Sequence, residues 1–172
     1  MNAKPFASLL LCFVLGLASR AALGETKTPG LTSGEVAFLK AAATSAALEI
    51  RLARLAVRQG STVALQAYAG MLMQDHRRFS LDLKAFTAEE FMPAKLEMRV
   101  EDAALLHRLG TCDLAEFDAL LLLSLLSSHE ATLAAFEAQA SDVTSQRLKP
   151  FVTETIPLLR AHRDMAARLS AE

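Results

Sequence analysis

The chain has no tryptophan, a single tyrosine, seven glycines and five prolines across 172 residues. Few turn formers and few β-branched or aromatic residues argue against a sheet protein, while the abundance of alanine and leucine argues for helix. Recognisable catalytic loops are missing as well. No serine sits in a glycine elbow and no glycine-rich segment could cradle a phosphate. Charge of one sign is also lacking: 18 basic residues face 19 acidic ones, so there is no electrostatic footprint for nucleic acid. Arg51, Arg54 and Arg58 do recur at helical spacing, the pattern of a solvated helix face.

The one long apolar run near the start has the layout of a secretory signal peptide. Met1 to Lys4 carries positive charge, Phe6 to Leu17 is almost uninterruptedly apolar, and Ala22 and Gly24 stand three and one residues before a cut at Glu25. This run is short of the roughly 20 apolar residues that span a bilayer. An uncleaved anchor is the alternative, and a lipid-anchored form is disfavoured because Leu11 precedes Cys12. Cleavage removes Lys4 and Arg20 and no acid, leaving 16 basic against 19 acidic residues, a charge of −3. It also leaves Cys112 as the sole cysteine, which can form no internal disulfide and is either a sheltered thiol or an intermolecular contact. The expected product is a periplasmic or otherwise exported chain, with no transmembrane span in the mature protein and with residues 25–172 as one domain.

What remains reads as four long helices and a shorter one. The first runs from an N-cap near Ser33 to Gln59, where Gly60 suits a left-handed termination; its buried line is Leu39, Ala42, Ala46, Glu49, Ala53, Ala56. The second starts at Ser61 or Thr62 and carries Leu65, Ala69, Leu72, His76, Phe79, Leu83, Phe86. So short a connection makes these two antiparallel neighbours. From Glu89 to Cys112, with Pro93 as a breaker and a short helix over Val100 to Leu109, the chain crosses back along the bundle. Asp113 and Glu116 resemble a capping box that opens the third long helix, whose line is Ala119, Leu122, Leu126, His129, Leu133, Phe136. After a polar turn from Ser141 to Ser145, the fourth carries Leu148, Val152, Thr155, Leu159, His162, Ala166, Leu169, with Pro157 expected to kink it.

Each long helix therefore has one strongly polar residue in an otherwise apolar seam: Glu49, His76, His129 and His162. Their distances from the two turns differ by only a few residues, and side chains lean toward the N-terminus of their own helix. The four tips are thus expected to converge. Three imidazoles and one carboxylate suit a divalent transition metal, zinc first and copper, nickel or iron next. A di-iron centre uses a Glu-x-x-His pair on each of two helices, whereas Met73 and Leu159 stand three residues before His76 and His162. One ion is favoured over two. The competing reading is a buried hydrogen-bonded network that fixes register without metal, helped by Ser45, Thr132 and Thr155. His107 reads as a surface residue and Asp118 as a first-turn acid favoured by the helix dipole. Nothing specifies a substrate or a protein partner.

The segments ALEIRLARLA, MLMQDHRRF, EFDALLLLSLLSSHEATLAAFEAQA and KPFVTETIPLLRAHRDMA resemble, in order, the motifs of the bacterial envelope family known as domain of unknown function 4142. The resemblance covers about Gly34 to Leu169, with Ile156 in place of the leucine before Pro157. It implies a ferritin-like four-helix bundle, usually exported, of no established role, with Glu49, His76, His129 and His162 on the family's motifs.

Overall fold

The computed structural model describes residues 30–87 and 98–172, and the side chains of all of these except 85–87. The expected signal peptide, the side chain of Phe86, and the first part of the crossover with Pro93 lie outside them. Five helices follow in order: α1 (Ser33–Gln59), α2 (Val63–Thr87), α3 (Val100–Thr111), α4 (Leu114–Asp142) and α5 (Leu148–Ser170). No strand occurs among the described residues.

Contacts between the helix ends give the directions. Asp118, near the start of α4, accepts hydrogen bonds from the Ser61 backbone N–H and hydroxyl in the α1–α2 turn. Glu35, near the start of α1, accepts from the backbone N–H groups of Thr144 and Ser145 in the α4–α5 turn at 3.0 and 2.9 Å. Hence α1 runs against α4. The short turns also set α2 against α1 and α5 against α4, so α2 and α4 run the same way. The chain must therefore return the length of the bundle between them.

Several local details differ from the sequence reading. Thr32, not Ser33, caps α1, because Glu35 lies three residues on and closes a reciprocal capping box. Gly60 is extended, at φ −56° and ψ 132°, rather than left-handed. Its glycine is required by crowding instead: a Cβ there would stand 2.6 Å from the Ala56 carbonyl oxygen. Asp113 makes no side-chain cap bond, and Glu116 lies 3.6 Å from Arg108. Pro157 lies inside α5 as the sequence reading has it, on the exposed side.

The seams of α1 and α5 are as the spacing predicts, but α4 is turned. Its buried residues are Phe117, Leu121, Leu122, Leu125, His129, Leu133 and Phe136, while Ala119 is exposed and Leu126 half-buried. The run LLLLSLL is apolar on every face, so periodicity cannot choose a register there. Packing of Leu109 from α3 beside Phe117, Leu121 and Leu125 makes the choice. By length and composition α4 would also cross a membrane, yet its most buried residues are used against the other helices.

The core is divided. One apolar cluster holds Leu52, Leu72, Leu121, Leu125 and Ala166; the other holds Leu39, Leu83, Leu133, Phe136 and Val152. On every long helix the polar seam residue falls between the two.

Leu125→Ala is expected to cost about 2–5 kcal/mol of unfolding free energy in a urea titration, and Leu126→Ala distinctly less. Glu35 gives a pH prediction. Burial raises its pKa, but hydrogen bonds from Ser145, Thr32 and Thr144 outweigh burial and bring it from 4.5 to about 2. A depressed carboxylate contributes stability that is complete above pH 4.5 and is lost as pH falls toward 2. Glu35→Gln should flatten the melting temperature across that window.

Candidate metal centre

Seam geometry places the four polar residues in one layer, and burial is nearly complete: Glu49 keeps 1% exposure, His76 5%, His129 none and His162 1%. The three imidazole rings sit around one another, with centroids 5.9 Å apart for His76 and His129, 5.4 Å for His76 and His162, and 5.3 Å for His129 and His162. A ring nitrogen from each lies within 4.8 Å of one from each of the others.

Glu49 anchors this layer from α1. Its Oε1 accepts from the Ser128 hydroxyl at 2.6 Å and from His129 Nδ1 at 3.1 Å, with the Ser45 hydroxyl at 3.4 Å. Ser45 in turn is 2.8 Å from the Thr132 hydroxyl. The second carboxylate oxygen, Oε2, stands 2.6 Å from His76 Nε2, close enough for an ion pair but off the line of a hydrogen bond. Two electron-rich atoms at that separation need a proton or a cation between or beside them. Burial raises the Glu49 pKa, but His129 and His76 more than offset it and hold the group well below the usual carboxylate range.

His162 is fixed from the opposite side. Its Nε2 lies 2.9 Å from Asp75 Oδ2, and the backbone carbonyl of His162 accepts from the Tyr68 hydroxyl at 2.9 Å. Burial lowers the His162 pKa to about 4 against the opposing pull of Asp75. The ring is therefore neutral at pH 7, and its proton sits on Nε2 because a carboxylate can only accept. By the same reasoning His129 carries its proton on Nδ1, toward Glu49.

The remaining nitrogens decide what the layer can do. His129 Nε2 and His162 Nδ1 are buried and have no hydrogen-bond partner among the described residues, and His76 Nε2 has only its close contact with Glu49 Oε2. A buried polar atom without a partner costs about 1–3 kcal/mol, so two such atoms in one layer require an explanation. His129 and His162, each with one nitrogen tied to a carboxylate and the other free, are arranged as metal ligands, the outer hydrogen bond fixing the tautomer. Beside them a cavity of about 10 Å³, room for about one water, is lined by Glu49, Asp75, His76 and His162. Ligand nitrogens around a tetrahedral ion sit about 3.4 Å apart for bonds of 2.0–2.1 Å. Spacing of up to 4.8 Å asks the rings to draw inward.

A family model, described as a domain of unknown function (DUF4142), matches residues 20–169. The chain belongs to that family. No curated protein and no solved structure matches it, so the DUF4142 assignment names relatives without supplying an activity.

Of the residues weighed from sequence, the structure brings Glu49, His76, His129 and His162 together and leaves His107 exposed on α3. Asp118 holds the α1–α2 turn, at a distance from the layer. Spacing did not reveal Asp75, Ser128 or Tyr68. Asp75 and Ser128 each immediately precede a cluster histidine, which was the available signal. The Tyr68 pKa is pushed up by burial and by the Glu49 charge, so its hydroxyl stays protonated and donates. Tyr68→Phe should lower stability by about 0.5–1.5 kcal/mol, the net worth of one hydrogen bond, in a urea titration, with unchanged helical circular dichroism.

Proposed function

We propose that this protein is an exported envelope four-helix bundle of ferritin-like topology whose core holds one divalent transition-metal ion, with zinc favoured and copper, nickel or iron as competitors. The observation that carries the reading is the convergence of three buried imidazoles, with His129 Nε2 and His162 Nδ1 unpartnered among the described residues and His76 Nε2 held only by its close contact with Glu49. Glu49 completes or tunes the site. A single long crossover between like-directed helices supports the ferritin-like topology, and the charged, apolar and small-residue order of Met1 to Gly24 supports export. N-terminal sequencing of periplasmic protein should begin at or near Glu25.

When bound, the ion supplies a Lewis-acid centre of positive charge in an apolar core. The chain's own residues supply the rest. Glu49 and Asp75 orient His129 and His162, Ser128 and Ser45 hold the Glu49 carboxylate, and the leucine clusters on either side exclude water. The arrangement supports metal binding and specifies no reaction or substrate. The alternative, a non-catalytic structural or partner-binding bundle, draws on the same Glu49 contacts and leaves His129 Nε2 and His162 Nδ1 unexplained.

An ion that binds only the folded state raises stability by about 2.7 kcal/mol at 100 times its dissociation constant. Chelator-stripped protein should therefore melt higher on addition of zinc. His129→Ala and His162→Ala should abolish the shift and His107→Ala should retain it. Protons compete for imidazole, so the shift should shrink as pH falls through the histidine range, about 6.5 for an unperturbed ring. Absence of any shift with all four metals, together with metal-free native protein, would establish the structural network instead.

A further inference from the structure

Asp75 faces two spaces. Its Oδ2 accepts from His162 Nε2 at 2.9 Å, yet its side chain keeps 29% exposure against 1% for His162. It lines the 10 Å³ cavity beside the histidines and also a groove of about 200 Å³ between α2 and α5. Phe79, Thr155 and Leu158 line both. The groove also carries Arg78, Asp82 and Glu154. Arg78 pairs with Asp82 at 3.2 Å, which leaves Asp75 and Glu154 as its excess negative charge.

The other approach differs. A larger groove of about 780 Å³ between α1 and α4 also adjoins the inner cavity, sharing Ala42, Ser45, Thr132 and Phe136 with it, but there the Ser45, Ser128 and Thr132 hydroxyls are engaged with one another and with Glu49. Its charged residues, Arg99 and Asp102, pair at 2.6 Å. That groove has no surplus charge to draw a cation, whereas a cleft of one sign between apolar walls concentrates counter-ions.

We propose that the α2–α5 groove is the port by which a divalent cation reaches the histidine layer, with Asp75 as the carboxylate that meets it at the threshold. This rests on the metal-binding reading above. A hydrated ion exceeds an inner space that admits about one water, so hydration water is shed between Asp75 and the layer. His162 links the two sides: Nε2 is held by Asp75, and the buried Nδ1 has no partner. Leu158, 38% exposed, narrows the passage without contributing a ligand.

Stopped-flow binding of Co²⁺ to the full chain, stripped with chelator and followed by visible absorption, tests this. In the wild type the on-rate should fall as ionic strength rises. Leu158→Trp, which fills the passage, should slow association and dissociation together by about tenfold or more while the equilibrium constant stays within about twofold, since a barrier alters both rates alike. Glu154→Gln, on the exposed side, should lower the on-rate and flatten its salt dependence. Leu123→Trp, in the α1–α4 groove, should change neither rate. Wild-type rates in both Leu158→Trp and Glu154→Gln, or slowing by Leu123→Trp alone, would overturn the port while leaving equilibrium binding and the metal centre intact. No Co²⁺ uptake by the wild type at equilibrium would instead overturn the metal reading, and the port with it.

Discussion

A carboxylate that is ionised and 1% exposed in the middle of an apolar bundle constrains everything around it. Left alone, the Glu49 charge would cost several kcal/mol or would neutralise by taking up a proton. It does neither, because α4 presents Ser128 and His129 to one oxygen and α2 presents His76 to the other. Those partners come from helices distant in sequence, so the charge is satisfied only when α1, α2 and α4 meet in one register. A slip of one residue in any of them would strand it. The same requirement splits the core into two leucine-rich clusters, since no apolar side chain can occupy the layer that the polar groups share.

Removing one partner of such a network is far more disruptive than never having had it. The helix ends add two smaller locks of the same kind: Glu35 ties the start of α1 to the α4–α5 turn, and Asp118 ties the start of α4 to the α1–α2 turn. Both are acids near a helix N-terminus that accept backbone N–H groups from a neighbouring turn. Together with Glu49 they fix α1 against α4 at the two ends and in the middle.

The part of this design that could be read from the chain is the part written in a single stripe. On α1, Leu39, Ala42, Ala46, Glu49, Ala53 and Ala56 are all buried, because alanine and leucine alternate there with charged residues and the contrast is sharp. On α4 the contrast vanishes, and the line through Ala119 and Leu126 gave way to one through Phe117, Leu121 and Leu125 once α3 packed against it. His129 kept its place since a buried histidine has few alternatives on a helix otherwise flanked by Glu130 and serines. The outer partners escaped for a different reason. Asp75 and Ser128 lie about 100° round the helix from the histidines they precede, outside any single stripe, and Asp75 serves His162 rather than its neighbour His76. Only the relative placement of α2 and α5 determines that pairing.

Charge balance then bears on how many ions such a layer suits. His162 is neutral at pH 7, and His129 and His162 each direct their proton outward to an acceptor carboxylate. The acids next to the layer are Glu49 and Asp75. A single divalent cation would balance two carboxylates, which a low-dielectric interior favours. A second ion would bring two more positive charges with no acid to meet them: the positions three residues before His76 and His162 are Met73 and Leu159, packed among the leucines on either side. A pair of carboxylates at those positions is what two-metal bundles require. The constraint that begins with one buried acid on α1 thus bears on the proposed site as well: one carboxylate inside and one at the rim would match one doubly charged ion.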